Sequence, residues 1–347
     1  MKAEAYKRTV SLSLSLTRKR IPIIILLFIV LGLGAFSGIL AAQERKLSVA
    51  PVNKAFLEYI STPPKVLHYT AEGHPLGLIP SPRDISYLKN LSAGRSRQID
   101  LPVSYDLRIM NKLTPVRNQG SCGSCWAFAT YGSLESFLMP GEPRDFSEEH
   151  LINNHGFDYE PCYGGTLDMA TAYLARWSGP VNETDDPYVS GNGLPAVKHV
   201  QEVMMIPPRS GPLDNDLIKE AVMNYGAVYT DMVWDDSSYN STNKTYYNPG
   251  NTGGGHAVAI VGWDDNFEAA KFSSAPEGNG AFIVKNSWGS SWGDHGYFYV
   301  SYYDAYFGRG GILGVVKAEN PGKYVVNYQY DPLGWITSLG YGLDTAW

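Results

Sequence analysis

"NQGSCGSCWAFATYGSLESFL", residues Asn118 to Leu138, carries two of the chain's three cysteines, Cys122 and Cys125, on a C-x-x-C spacing. That spacing serves a redox pair, half of a zinc site, or a nucleophile beside an unrelated structural cysteine. A structural zinc site closes with four ligands, yet Cys162 stands alone and no histidine sits at finger spacing. A thioredoxin-like pair follows a strand in a βαβ unit. Here Pro115–Gly120 reads as a loop and the later strands lack parallel crossover spacing. The third reading gives one cysteine to structure and one to chemistry. Phe128, Tyr131, Leu134 and Leu138 recur at helical spacing, so Cys125 falls at a helix start. Unpaired N–H groups and a partial positive charge there favour thiolate over thiol.

Outward from this stretch, residues 99 to about 318 read as one α+β unit. "FSEEHLI" offers Ser147 followed by Glu148 and Glu149 as a helix start. "LDMATAYLARW" is a second helical run, and "DNDLIKEAVMNYG" a third that ends in Gly226. Beyond it, "HAVAIVGW", "GAFIVKNSW" and "GYFYVSYY" are short β-rich runs separated by Gly, Asn and Asp. Helices first and strands later predict two segregated halves with a cleft between them. Residues 43–98 are polar and proline-punctuated, a pro-segment or linker rather than a domain. Residues 319–347 are rich in Tyr and Gly and strand-like, which we read as the start of a further β domain.

The 347 residues are 44% hydrophobic and 18% charged, a composition that excludes long disorder. Residues 1–20 hold six basic side chains against Glu4, a balance of +5, which leaves −11 for the rest of a chain whose net charge is −6. So acidic a body is a poor partner for nucleic acid. The uncharged run Ile21–Ala42 follows the basic leader, the layout of a signal peptide or signal anchor. Either reading sends everything after Ala42 out of the cytosol, to a secreted or cell-surface location where disulfides persist. The membrane is expected to be met only through residues 21–42.

"NQGSCGSCWAF", "GGHAVAIVGW" and "VKNSWGSSWGDHGYFYV" together resemble the three catalytic blocks of the papain family of cysteine peptidases, in the family's order. The resemblance extends from Leu101 to about Val316. It implies a two-lobed α+β fold, with an N-terminal helical lobe, a C-terminal antiparallel β-barrel-like lobe and the active-site cleft between them. It implies Cys125 as nucleophile, His256 as general acid and base, Asn286 as the residue orienting the imidazole, and Gln119 as an oxyanion donor. Each role has physical sense. A thiolate–imidazolium pair holds the nucleophile ionised near neutral pH, and the Gln119 amide can reach the developing oxyanion beside the Cys125 N–H. Trp288 is suited to shield the His256–Asn286 bond.

The same resemblance pairs Cys122 with Cys162 in a disulfide and leaves Cys125 reduced. It places Gly123, Gly164, Gly165 and Gly255 along the substrate backbone, with Leu167 and Ala257 on the walls of the main specificity pocket. An apolar side chain two residues before the scissile bond is the expectation. No histidine pair after "PCYGG" suggests a blocking loop, so an endopeptidase acting as a monomer on peptide or protein substrates is favoured, with no cofactor and no metal. An adhesion protein using the unit as a scaffold, and a transpeptidase using the same residues, are the alternatives. His256 lies 131 residues after Cys125 and Asn286 lies 161 after it. The second spacing is long for the family, and the excess falls in Asp264–Phe282, read as an enlarged hairpin between two strands. Residues 43–98 lack the family's long helical prodomain pattern, so whether they block the cleft or merely space it stays open at this level.

Overall fold

Helix α1, Cys125–Leu138, runs through the middle of the protein with eleven of its fourteen residues buried. A helix covered on every side needs small residues wherever neighbours approach closely. Ala129, Gly132, Ser133 and Ser136 meet that need and are buried, whereas Phe128 and Leu138, two of the four apolar positions expected inside, are only half-buried. The computed structural model describes residues 54, 57, 67–81, 100–188, 194–250, 252–309, 312–319, 324–330 and 336–343. The leader read over residues 1–42 lies outside them. Among the described residues no helix is long and apolar enough to cross a membrane.

The remaining helices form at the three runs read as helical. Helix α2, Glu148–Asn154, starts at Ser147, whose hydroxyl accepts the His150 N–H at 3.0 Å. Helix α3, Leu167–Ala175, is capped by Thr166, which accepts the Met169 N–H at 3.1 Å. Each such cap contributes about 1 kcal/mol. Helix α4, Asp216–Tyr225, stops at Gly226, whose φ of 95° suits only glycine without strain. Trp126, Tyr131, Leu134, Phe146, Leu151, Tyr173 and Leu174 make the core of this helical lobe. A disulfide joins Cys122 to Cys162 across 40 residues, a closure that stabilises by about 3–4 kcal/mol in the chain-entropy view.

The strands gather into a second lobe. A short hairpin of β1 (His68–Tyr69) and β2 (Pro75–Leu76) stands apart from the main sheet. That sheet contains β3 (Ser104–Asp106), β4 (His199–Met205), β5 (Val228–Trp234), β6 (Tyr239–Asn240), β7 (Thr245–Tyr246), β8 (Gly254–Asp264), β9 (Ala281–Lys285), β10 (Tyr297–Ser301) and β11 (Ile312–Glu319). Its order is β4-β11-β5-β8-β9-β10-β7-β6 with β3 added on β8. All pairs are antiparallel except β7 with β10. Strand β12 (Tyr324–Tyr330) pairs antiparallel with β13 (Ile336–Leu343), in the tail expected to be β-rich.

Strand β8 is the hinge of the whole arrangement. Helix α1 packs against it, while Trp234, Trp263, Phe282, Trp288, Trp292 and Phe298 form an aromatic core within the sheet lobe. Burial on both sides explains why "HAVAIVGW" is an unbroken apolar run instead of an alternating one. Residues 265–280 do form an enlarged connection between β8 and β9. The ladder behind it keeps Ala259 opposite Lys285 and Ile260 opposite Val284, so Asn286 emerges at the end of β8 that carries His256. Between the lobes, buried Thr114 takes bonds from both sides. It donates to Glu135 of α1 at 2.5 Å, and its carbonyl accepts from the Lys285 ammonium at 2.9 Å. Burial pushes the Glu135 carboxyl up to about 7, against the pull of Lys285.

Candidate active site

Cys125 is the first residue of α1, fully buried, and the one free cysteine. The backbones of Ala257, Gly77 and Trp126 lie close enough to its sulfur to favour the thiolate. Ala257 follows His256 on β8, so helix start and strand meet at this sulfur. His256 is also fully buried. Its Nε2 lies 2.8 Å from Asn286 Oδ1, which also accepts the Ser287 N–H at 2.8 Å. An amide oxygen only accepts, so the His256 proton sits on Nε2 and the lone pair on Nδ1. Among the described residues Nδ1 has no hydrogen-bond partner. The Trp288 ring stacks on His256 with centroids 4.7 Å apart, and Trp234 and Trp292 meet Trp288 edge to face.

Gln119 completes the cluster. Its N–H donates to Ser287 O at 2.8 Å and its Oε1 accepts the Ser287 hydroxyl at 2.6 Å. Ser287 therefore holds both the orienting amide of Asn286 and the donor amide of Gln119. With its oxygen committed, Gln119 turns Nε2 toward carbonyls, those of Cys122 at 2.9 Å and Pro75 at 3.0 Å.

Pro75 belongs to a stretch of the chain that lies in the cleft itself. The Gly77 carbonyl accepts the Gly165 N–H at 2.9 Å, and the Ile79 N–H donates to Gly165 O at 2.9 Å. The Leu78 N–H donates to Gly255 O at 3.1 Å. Leu78 pairs with Gly165 as a parallel bridge and packs in the core cluster that holds Cys125, Leu167 and Ala257. The backbones approach so closely that a Cβ on Gly77 would lie 1.9 Å from Gly123 O, and one on Gly255 would lie 2.4 Å from Leu78 O. Ahead of this stretch, His74 stacks on Trp288 at 4.7 Å, on a turn that the Ala71 N–H ties to Asp236 at 2.7 Å.

Covering the site changes its electrostatics. Desolvation pushes the Cys125 thiol up to about 12 in spite of those neighbouring backbones. Desolvation likewise drives His256 down to about 4, with the Asn286 bond opposing it and His74 adding to it. Both shifts favour thiol and neutral imidazole over the ion pair in this buried state.

A buried thiol at a helix start, a histidine–asparagine pair and a glutamine donor converge on one cleft between two lobes. The profile of the papain family cysteine protease matches residues 101–309. The chain belongs to the papain family of cysteine proteases. Cysteine proteinase EP-B 1 of Hordeum vulgare is 30% identical over 242 residues, covering 65% of this chain and 60% of the barley protein. The clostridial cysteine protease Cwp84 after propeptide cleavage superposes with a TM-score of 0.58 at 29% identity, over 66% of this chain and 61% of that one. The cysteine protease and lectin-like domains of Cwp84, a surface layer associated protein of Clostridium difficile, give 0.59 at 25% identity, over 76% and 63%. The chain spans about 60% of the length of the curated relatives it matches.

Within this papain-family chain the residues singled out from sequence fall together. His256, Asn286 and Gln119 are joined through Ser287, Cys125 packs with Ala257 next to His256, and Trp288 covers the histidine. Gly123, Gly165 and Gly255 touch the stretch in the cleft through backbone, and a Cβ on Gly164 would lie 2.8 Å from Gly77 O. Ser287 and the covering stretch were not singled out. Ser287 follows Asn286 in "KNSW" and had a motif to point at it. Residues 75–79 act through backbone groups, which leave no side-chain signature.

Proposed function

We propose that this chain is the covered precursor of an exported cysteine endopeptidase that hydrolyses peptide bonds through an acyl-enzyme on Cys125. The observation that carries the reading is the backbone carbonyl of Pro75 accepting from Gln119 Nε2, with Gly77 of the same stretch close to the Cys125 thiol. The site already receives an extended peptide and places a carbonyl oxygen on its donor. With the covering stretch gone, water re-enters and relieves the desolvation that keeps the pair neutral. The thiol proton then passes to His256 Nδ1, and the helix start stabilises the thiolate. The sulfur attacks the substrate carbonyl carbon while Gln119 Nε2 and the Cys125 N–H stabilise the oxyanion. His256 returns its proton to the departing amine as the C–N bond breaks. Water next gives a proton to His256 and its oxygen to the acyl carbon, and the thiol is regenerated.

The covering stretch escapes this chemistry because the two halves of the site engage different peptide units. Gln119 holds the carbonyl of Pro75, whereas the sulfur lies close to the backbone of Gly77. No single peptide bond is offered to both. We assign residues 1–42 to export or anchoring, 43–98 to a pro-segment that blocks the cleft, 99–318 to the peptidase and 319–347 to a β-rich tail. Export rests on the basic and apolar leader, and the surface layer association of Cwp84 supports it. Cys125→Ala is expected to abolish peptide hydrolysis with the fold retained; undiminished hydrolysis by that variant overturns the reading.

A further inference from the structure

We propose that Tyr188 is a positioning residue of this site, holding the hydroxyl of Ser124 away from the nucleophile helix while it anchors Gln119. Ser124 is the N-cap residue of α1, a place where serine ordinarily accepts a helix N–H. Among the described residues it makes no such bond. Its Oγ lies instead 2.8 Å from the Tyr188 hydroxyl, with a longer contact of 3.4 Å to the Cys122 carbonyl, and Tyr188 donates onward to the Gln119 carbonyl at 3.1 Å. Tyr188 is itself fixed, since its N–H donates to Glu183 at 3.1 Å and its ring meets Phe128 edge to face at 5.4 Å.

The consequence is chemical. The N–H of Trp126, one of the donors a serine cap would claim, belongs to the backbone that favours the Cys125 thiolate against its burial. A Ser124 hydroxyl free to turn back onto α1 competes with the sulfur for the first-turn donors. One phenol thus keeps the helix start open toward the nucleophile and braces the oxyanion donor from the helical side. Ser287 braces the same glutamine from the sheet side. Other titratable groups around this point are Asp231 and Tyr229 on β5, Glu148 and Glu149 of α2, and Glu183, which accepts the Tyr188 N–H. None is altered by the variants below.

The inference rests on Cys125 as nucleophile, which Cys125→Ala tests by itself. The full-length chain, after limited proteolysis has released its covering stretch, is assayed for peptide hydrolysis and for thiol alkylation by iodoacetamide across pH. In Tyr188→Phe, kcat is expected to fall about tenfold with KM nearly unchanged, and the alkylation midpoint to move upward. Adding Ser124→Ala removes the competing hydroxyl and returns the midpoint toward the parent value while kcat stays low, because Gln119 is still unbraced. An unmoved midpoint in Tyr188→Phe, or one that Ser124→Ala fails to return, overturns the proposal. Should Tyr188→Phe not fold, Ser124→Ala alone decides, since its midpoint must stay at the parent value and an upward move refutes the competition. Loss of all hydrolysis with normal alkylation also refutes it.

Discussion

The two sides of the cleft hold their reactive groups by different physics. On the helical side, Cys125 is positioned by backbone: a helix start and a disulfide three residues away. On the sheet side, His256 is positioned by side chains, with Asn286 on one nitrogen and a packed aromatic cluster around the ring. A thiolate needs a field, which backbone dipoles supply wherever a helix begins. An imidazole that takes and returns a proton needs a fixed tautomer and a fixed plane, which only specific neighbours supply. The sheet side should therefore fail sharply when one side chain is removed, and the helical side more gradually.

The hardest test of that contrast is His256→Ala, which should lower kcat/KM about 10³-fold or more while the chain stays folded. A loss under tenfold breaks the comparison. Opening the tether on the other side with Cys122→Ser should cost about 3–4 kcal/mol of stability, read as a lower unfolding midpoint, with hydrolysis persisting in the folded fraction. Gln119→Ala removes one of two oxyanion donors and should lower kcat about 10²-fold with little change in KM. The smallest effect concerns the cover. His256 is held near 4 in the covered state, below its ordinary 6.5. Uncovering moves the thiol proton onto His256, so covered and uncovered sites each hold one proton near neutral pH. The uncovered fraction should therefore change less than about twofold between pH 7.5 and 5.5, read as the Cys125 labelling rate corrected for thiolate content. A rise of about tenfold over that range means that the uncovered pair is not ionised.

What could be read from the chain before its fold follows the same division between local and distant causes. Helix α2 announces itself by a cap, α4 by a terminal glycine and α3 by its helical run, and the runs that became β8, β9 and β10 by their apolar texture. Cys125, His256 and Asn286 were legible because each sits inside a short block whose neighbours serve it directly. The interior of α1 was read less well, since its tight faces use Ala, Gly and Ser in place of large apolar residues. Residues 75–79 gave no signal, because their docking uses carbonyls and N–H groups common to any sequence. Tyr188 was silent for a related reason: its hydroxyl acts on a backbone carbonyl and a serine 64 residues away.

The stretch in the cleft is part of the same polypeptide as the site it fills, with 21 residues separating Ile79 from Leu101. Occupancy is thus an intramolecular equilibrium, set by a local effective concentration instead of a bulk one. Even modest contacts keep such a site filled. One cut within those 21 residues alters none of these contacts, yet it replaces that local concentration with the bulk concentration of a free peptide. The switch from covered to open then follows from dilution rather than from any change in affinity.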